Sequence, residues 1–132
     1  MSHHNTIRLE NVLVKKNEKR ILHDVSFSIP TGKITTVLGP SGSGKTSILR
    51  ILNRLDNPSE GNIQIGDSDI NDLDVQSLRK KIGMVFQVPV MFDGSVRKNL
   101  EMAQGFCKEK QCLEIEGLMA LVDLPEDYLE RN

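Results

Sequence analysis

The hydrophobic pattern changes character along this chain. Ile7, Leu9, Asn11 and Leu13 stand between Arg8, Glu10 and Val12, an imperfect two-residue alternation that predicts a strand. Val25-Ser26-Phe27-Ser28-Ile29 alternates strictly, and Pro30-Thr31-Gly32 stops it. The charged run Lys15 to Arg20 between them reads as an exposed hairpin connection. Ile34 to Leu38 is β-branched and mostly apolar, the pattern of a buried strand in a parallel sheet. Ile48, Leu49, Ile51, Leu52 and Leu55 then keep to one helical face, and Asn57-Pro58 is the expected stop. Ile63-Gln64-Ile65 predicts a short strand, and Asp72 or Asp74 can cap a short helix running through Leu78. Ile82 to Phe86 reads as a second buried strand. Ser95 is placed to cap a helix with Val96, Leu100 and Ala103 inward, and a last helix puts Ile115, Leu118, Met119 and Val122 on one face. Strands therefore give way to an α/β stretch and then to helices.

Composition excludes several classes. The 132 residues are 38% hydrophobic, which suits a soluble domain. No run approaches the ~18 uncharged apolar residues of a membrane span. Met1 to Asn5 lacks a basic-then-apolar signal pattern. Cys107 and Cys112 are five positions apart, neither a redox nor a zinc spacing, and read as reduced thiols. The net charge is −1, with +4 over residues 1–100 and −5 over 101–132. That balance gives no whole-chain attraction to nucleic acid; the basic front suits a polyphosphate ligand.

One motif carries chemistry. Gly39-Pro40-Ser41-Gly42-Ser43-Gly44-Lys45-Thr46 matches G-x-x-x-x-G-K-[ST] in full, behind an apolar run and before a helical one. The glycines let successive N–H groups turn toward phosphate oxygens, and the helix start adds unpaired donors and a positive dipole end. Lys45 supplies a mobile cation for the β and γ phosphates, and the Thr46 hydroxyl is a ligand for Mg²⁺. Nucleoside triphosphate binding is the inference.

With Ser47 and Leu49, this segment resembles the Walker A region of ABC-type ATPases, the nucleotide-binding subunits of membrane transporters. The resemblance continues through Leu22 to Ile29 with Gly32, Gly61-Asn62-Ile63-Gln64-Ile65, Leu78-Arg79, Ile82 to Gln87, and Asp93 to Leu100. It implies an α/β P-loop fold of ABC type: an antiparallel β subdomain, part of a parallel core sheet, and from about residue 95 to 132 the start of a helical subdomain. It also implies ATP and Mg²⁺ as ligands, with nucleotide contacts from Gly39, Pro40, Ser41, Gly42, Ser43, Gly44, Lys45, Thr46 and Ser47. Gln87, 42 residues after Lys45, takes the place of the Q-loop glutamine that reaches Mg²⁺ and the water near the γ-phosphate. Membrane subunits meet the family at the segment corresponding to Gln87–Leu100, a second nucleotide-binding subunit completes the dimer, and the location is the cytoplasmic face of the membrane. Nucleic acid is not an expected partner.

The chain also departs from that pattern. The family's adenine-stacking aromatic falls at Lys16, a loss on the order of 1–3 kcal/mol of stacking. No LSGGQ-type signature loop, Walker B strand or switch His follows the helical segment; His3, His4 and His23 all precede the P-loop. Leu118 to Asp123 imitates a Walker B strand, but Leu, Met and Ala favour a helix and Asp123 is followed by Leu124 rather than Glu. The expectation is the N-terminal portion of one ABC domain, binding nucleotide weakly and hydrolysing it barely, with its parallel strands short of neighbours. The alternatives are a non-catalytic nucleotide-binding module and an ABC-type ATPase that serves no transporter.

Overall fold

A computed structural model describes residues 6–106 and 113–132 and divides into two compact units, 1–84 and 85–132. His3, His4, Cys107 and Cys112 lie outside the described residues.

The first unit is built on a four-stranded antiparallel sheet of order β2-β1-β3-β4, from β1 (Ile7–Lys16), β2 (Lys19–Ile29), β3 (Glu60–Ile65) and β4 (Ser68–Asp69). The hairpin connection is tighter than the charged run suggests. Asn17 and Glu18 alone turn the chain, both at positive φ (47° and 63°), as a two-residue turn matched to strand twist requires. Lys15, Lys16, Lys19 and Arg20 belong to the strands.

The imperfect alternation of β1 has a structural cause. Leu9 is buried, and burial then resumes at Val12 and Val14, one position out of phase. Asn11, at φ 51°, is the extra residue, and the pairing shifts register between Leu9 and Val12. Its amide N–H donates to Ser26 Oγ at 2.8 Å and its side-chain Nδ2 to Asp24 Oδ1 at 2.8 Å. A β-bulge thus turns both valines into the core.

Helix α1 (Lys45–Leu52) buries Ile48, Ile51 and Leu52, and α2 (Val75–Lys81) buries Leu78. These join Leu9, Val12, Val14, Leu22, Ile63 and Ile70 in one core. Asp74, rather than Asp72, caps α2, its Oδ2 accepting the Ser77 N–H at 2.8 Å. Helix α1 stops at Leu52, short of Asn57-Pro58, because Arg54 adopts φ 48° and ends the helical repeat.

An ion-pair chain holds the segment after α1. Asp56 accepts from Arg50 Nε at 2.7 Å, Arg50 Nη2 at 3.1 Å and Lys16 Nζ at 2.8 Å. Arg50 first, then Lys16, hold the Asp56 carboxyl far below the usual carboxylate range. A carboxyl depressed by folding stabilises the native state above its unfolded pKa near 4 and loses that contribution as pH falls. Stability is therefore expected to be level from pH 7 to 5 and to fall below about pH 4. Asp56→Asn should flatten that acid limb and cost about 1 kcal/mol at pH 7, once solvent screening of the pairs is allowed for. Urea unfolding at several pH values measures both.

The two runs expected as buried parallel strands do not form them. Residues 34–38 are irregular, with Ile34 98% and Leu38 87% exposed. Residues 82–86 are likewise unpaired, with Val85 96% exposed. Every strand pair in the described residues is antiparallel. A parallel strand needs a hydrogen-bonded neighbour and cover on both faces. Neither run finds such a neighbour among the described residues.

The second unit contains α3 (Val96–Gln104), α4 (Ile115–Leu121) and a 3-10 helix (Glu126–Glu130). Ser95 caps α3, its Oγ accepting the Lys98 N–H at 3.3 Å. Ile115, Met119 and Leu129 are buried, with Val96, Leu100 and Tyr128 packed against them. Arg97 ties the elements together, donating to Glu130 at 2.9 Å and Glu116 at 3.1 Å. The apolar run ending at Asp123 is helical, as its residue types imply, although Val122 is the exposed C-cap rather than part of the buried face. No helix of the described residues is long and apolar enough to cross a membrane.

Candidate functional site

The loop Gly39–Gly44 leads directly into α1. Its shape is held by a turn in which the Ser43 N–H donates to Pro40 O at 3.3 Å. The first helical bond runs from the Ile48 N–H to Gly44 O at 3.0 Å. The N–H groups of Lys45, Thr46 and Ser47 therefore precede any intrahelical acceptor and form the positive end of the helix. Gly44, the N-cap, has φ 91°. A Cβ there would stand 2.5 Å from Leu22 Cδ2 and 3.0 Å from Ile21 O, so only glycine lets the loop sit against β2.

Lys45 folds back over its own loop. Its Nζ donates to Gly39 O and Pro40 O, each at 2.8 Å, with Ser43 Oγ at 3.4 Å. The cation is thus parked across the loop mouth by neutral acceptors. An anionic oxygen at the same place makes the stronger, charge-assisted bond. Thr46 is exposed in the first turn of α1, and Ser47 is half-buried beside it.

These residues fit a polyphosphate: free helix-end donors, a mobile cation, and a loop where a Cβ on Gly39 would come within 2.8 Å of Ser43 Oγ. For a divalent cation the loop offers the Thr46 hydroxyl. No group of three or more His, Cys, Asp or Glu gathers among the described residues. That donor set suits a hard ion such as Mg²⁺, which is commonly held through phosphate oxygens with few protein ligands.

The structure brings Gly39 to Ser47 together in one loop and helix start. Gln87 belongs to the second unit and is exposed in an irregular segment. Lys16, at the position of the family's aromatic, points its ammonium to Asp56. That contact was invisible to spacing, because Lys16 and Asp56 are 40 residues apart and meet only once α1 ends at Leu52.

A family model described as ABC transporter matches residues 22–132. The chain belongs to this family. It is 40% identical over 120 residues to ABC transporter I family member 17 of Arabidopsis thaliana, covering 90% of this chain and 46% of that protein. It is 38% identical over 120 residues to the carnitine transport ATP-binding protein OpuCA of Listeria monocytogenes, covering 88% of this chain and 30% of that one. A solved bacterial Atm1-family ABC exporter with ATP bound superposes with TM-score 0.71 at 33% identity, over 77% of this chain and 18% of its own. The chain thus spans less than half the length of these ABC relatives, and an exporter stands among them beside a transport ATP-binding protein. The fold is that of an ABC ATPase domain, mixed α/β with an antiparallel sheet.

Proposed function

We propose that this chain is the N-terminal part of a single ABC nucleotide-binding domain and that residues 39–47 hold the triphosphate of Mg²⁺-ATP. The observation that carries the reading is the Lys45 ammonium, drawn onto the carbonyls of Gly39 and Pro40 at the start of α1. In this reading Gly39, Pro40, Ser41, Gly42 and Ser43 wrap the β-phosphate. The N–H groups of Gly44, Lys45, Thr46 and Ser47 donate to phosphate oxygens, and Lys45 trades its carbonyl partners for the β and γ oxygens. Thr46 and Gln87 hold the metal, and Gln87 orients the attacking water. Mg²⁺, when bound, neutralises the developing charge on the γ-phosphate.

Lys45, Thr46 and Gln87 position and neutralise, but none is a general base. ATP binding without appreciable turnover is the expected behaviour. Residues 95–132 begin the helical subdomain. The stretch Gln87–Leu100 meets membrane subunits, a reading supported by the exposure of Val88, Val90, Met91 and Phe92. A second nucleotide-binding subunit faces the site, and the domain works at the cytoplasmic face of the membrane, coupling ATP to transport in the whole protein.

Calorimetric titration with Mg²⁺-ATP, paired with phosphate release, tests the reading. Saturable binding displaced by tripolyphosphate, with phosphate release at background, is expected. Absence of saturable binding overturns it. Robust release that Lys45→Ala removes would overturn the claim that this chain does not turn ATP over.

A further inference from the structure

At the opposite end of α1 from the phosphate loop, polar groups gather where a helix end is usually left to water. Asn53, the C-cap, is 6% exposed. Its Nδ2 donates to Ile82 O at 3.0 Å. Arg54 follows at φ 48°, a strained conformation for arginine, and its Nη1 donates to Leu73 O at 2.8 Å. From α2, Arg79 donates Nε to Asn53 O at 3.2 Å and Nη2 to Arg54 O at 2.7 Å. A cation thus closes the carbonyl end of α1, where the helix dipole favours it.

The knot is incomplete. Asn53 Oδ1 and Arg54 Nε are buried without a hydrogen-bond partner among the described residues. A displacement of α1 against α2 changes the partners that these buried groups can reach.

Helix α1 is eight residues, a rod about 12 Å long, with the phosphate loop at one end and this knot at the other. Ile82 is the C-cap of α2, and Gln87 follows five residues later. We propose that Asn53 is a positioning residue: through its bond to Ile82, anchored by Arg79, it passes the state of the phosphate loop along α1 to the segment that carries Gln87. The proposal rests on the nucleotide reading above. Ligand at residues 39–47 loads one end of the rod, the Asn53–Ile82 bond moves with the other, and residues 82–87 change their order in response.

Hydrogen–deuterium exchange of the full chain, with and without saturating Mg²⁺-ATP, tests this. In the wild type, ATP should slow exchange in residues 39–47 and, by about fivefold or more, in 82–87. Asn53→Ala and the more conservative Arg79→Gln, whose side chain is exposed, should keep the first response, with ATP affinity within about threefold, and lose the second. A merely structural role lowers the melting temperature and leaves the ATP-linked slowing at 82–87 in place, which overturns the proposal. Slowing confined to 39–47 in the wild type overturns the coupling and the role given to Gln87, and leaves the phosphate-loop reading standing. No slowing at either stretch overturns the nucleotide reading and the coupling with it.

Discussion

Lys45→Ala is expected to weaken ATP binding by about 100-fold or more while leaving the fold intact. The magnitude follows from the bonds at stake. A hydrogen bond to a charged group is worth about 1.5–3 kcal/mol, so removing two such bonds to phosphate costs roughly 3–6 kcal/mol. Each 1.4 kcal/mol is about tenfold in affinity. The fold survives because Lys45 contributes nothing to the apolar core, and the loop keeps its own turn from Ser43 N–H to Pro40 O at 3.3 Å. Lys45→Arg is the sharper control. It keeps the charge, but a planar fork replaces the compact ammonium that fits between Gly39 O and Pro40 O. It should recover only part of the affinity, about tenfold weaker than wild type. Calorimetry on the three proteins, with circular dichroism to verify folding, decides the matter. Binding by a folded Lys45→Ala variant within about threefold of wild type would remove Lys45 from the site.

The phosphate loop was legible because its chemistry is local. Glycines, lysine and threonine at fixed spacing specify a wrapped backbone and a helix start without help from distant residues. The caps were legible for the same reason: Ser95 and Asp74 bond N–H groups three positions on. The helical character of Leu118 to Leu121 followed from residue type alone.

What sequence reasoning missed is non-local or runs against propensity. Arg54 ends α1 in a left-handed conformation that glycine or asparagine would signal, and it is held there by Leu73 O and Arg79, each at least 19 residues away. The bulge at Asn11 appeared only as faulty alternation, since the register that explains it depends on Asp24 and Ser26 across the hairpin. Residues 34–38 and 82–86 have the composition of buried strands, but a strand exists only when another strand pairs with it. Composition reports the preference; it does not supply the partner. Gln87 shares this dependence, because its proposed role requires the phosphate loop in one unit and the irregular segment in the other.

The bulge that sequence alternation blurred also sets the largest expected stability effect, at Gly61. This residue of β3 lies opposite Asn11 with φ 89°. A Cβ added there would stand 2.6 Å from Asn11 C and 2.6 Å from Val12 Cα. Both are backbone atoms of β1, the strand paired on both sides, so no flexible side chain can swing clear. Relief requires β1 and β3 to separate where Val12 and Ile63, 0% and 1% exposed, fill the core. The left-handed backbone adds on the order of 1–2 kcal/mol for a non-glycine residue, and overpacking adds about 1–3 kcal/mol. Gly61→Ala should therefore cost roughly 2–5 kcal/mol, much of the total stability of a small domain. In a thermal melt that is a drop of about 10–30 °C, or no cooperative transition at all. Gly83→Ala is the control: its Cβ would meet nothing within 4 Å, so its melting temperature should stay near wild type. A Gly61→Ala variant that melts with that control would show that β1 and β3 are not as close at the bulge as the register demands.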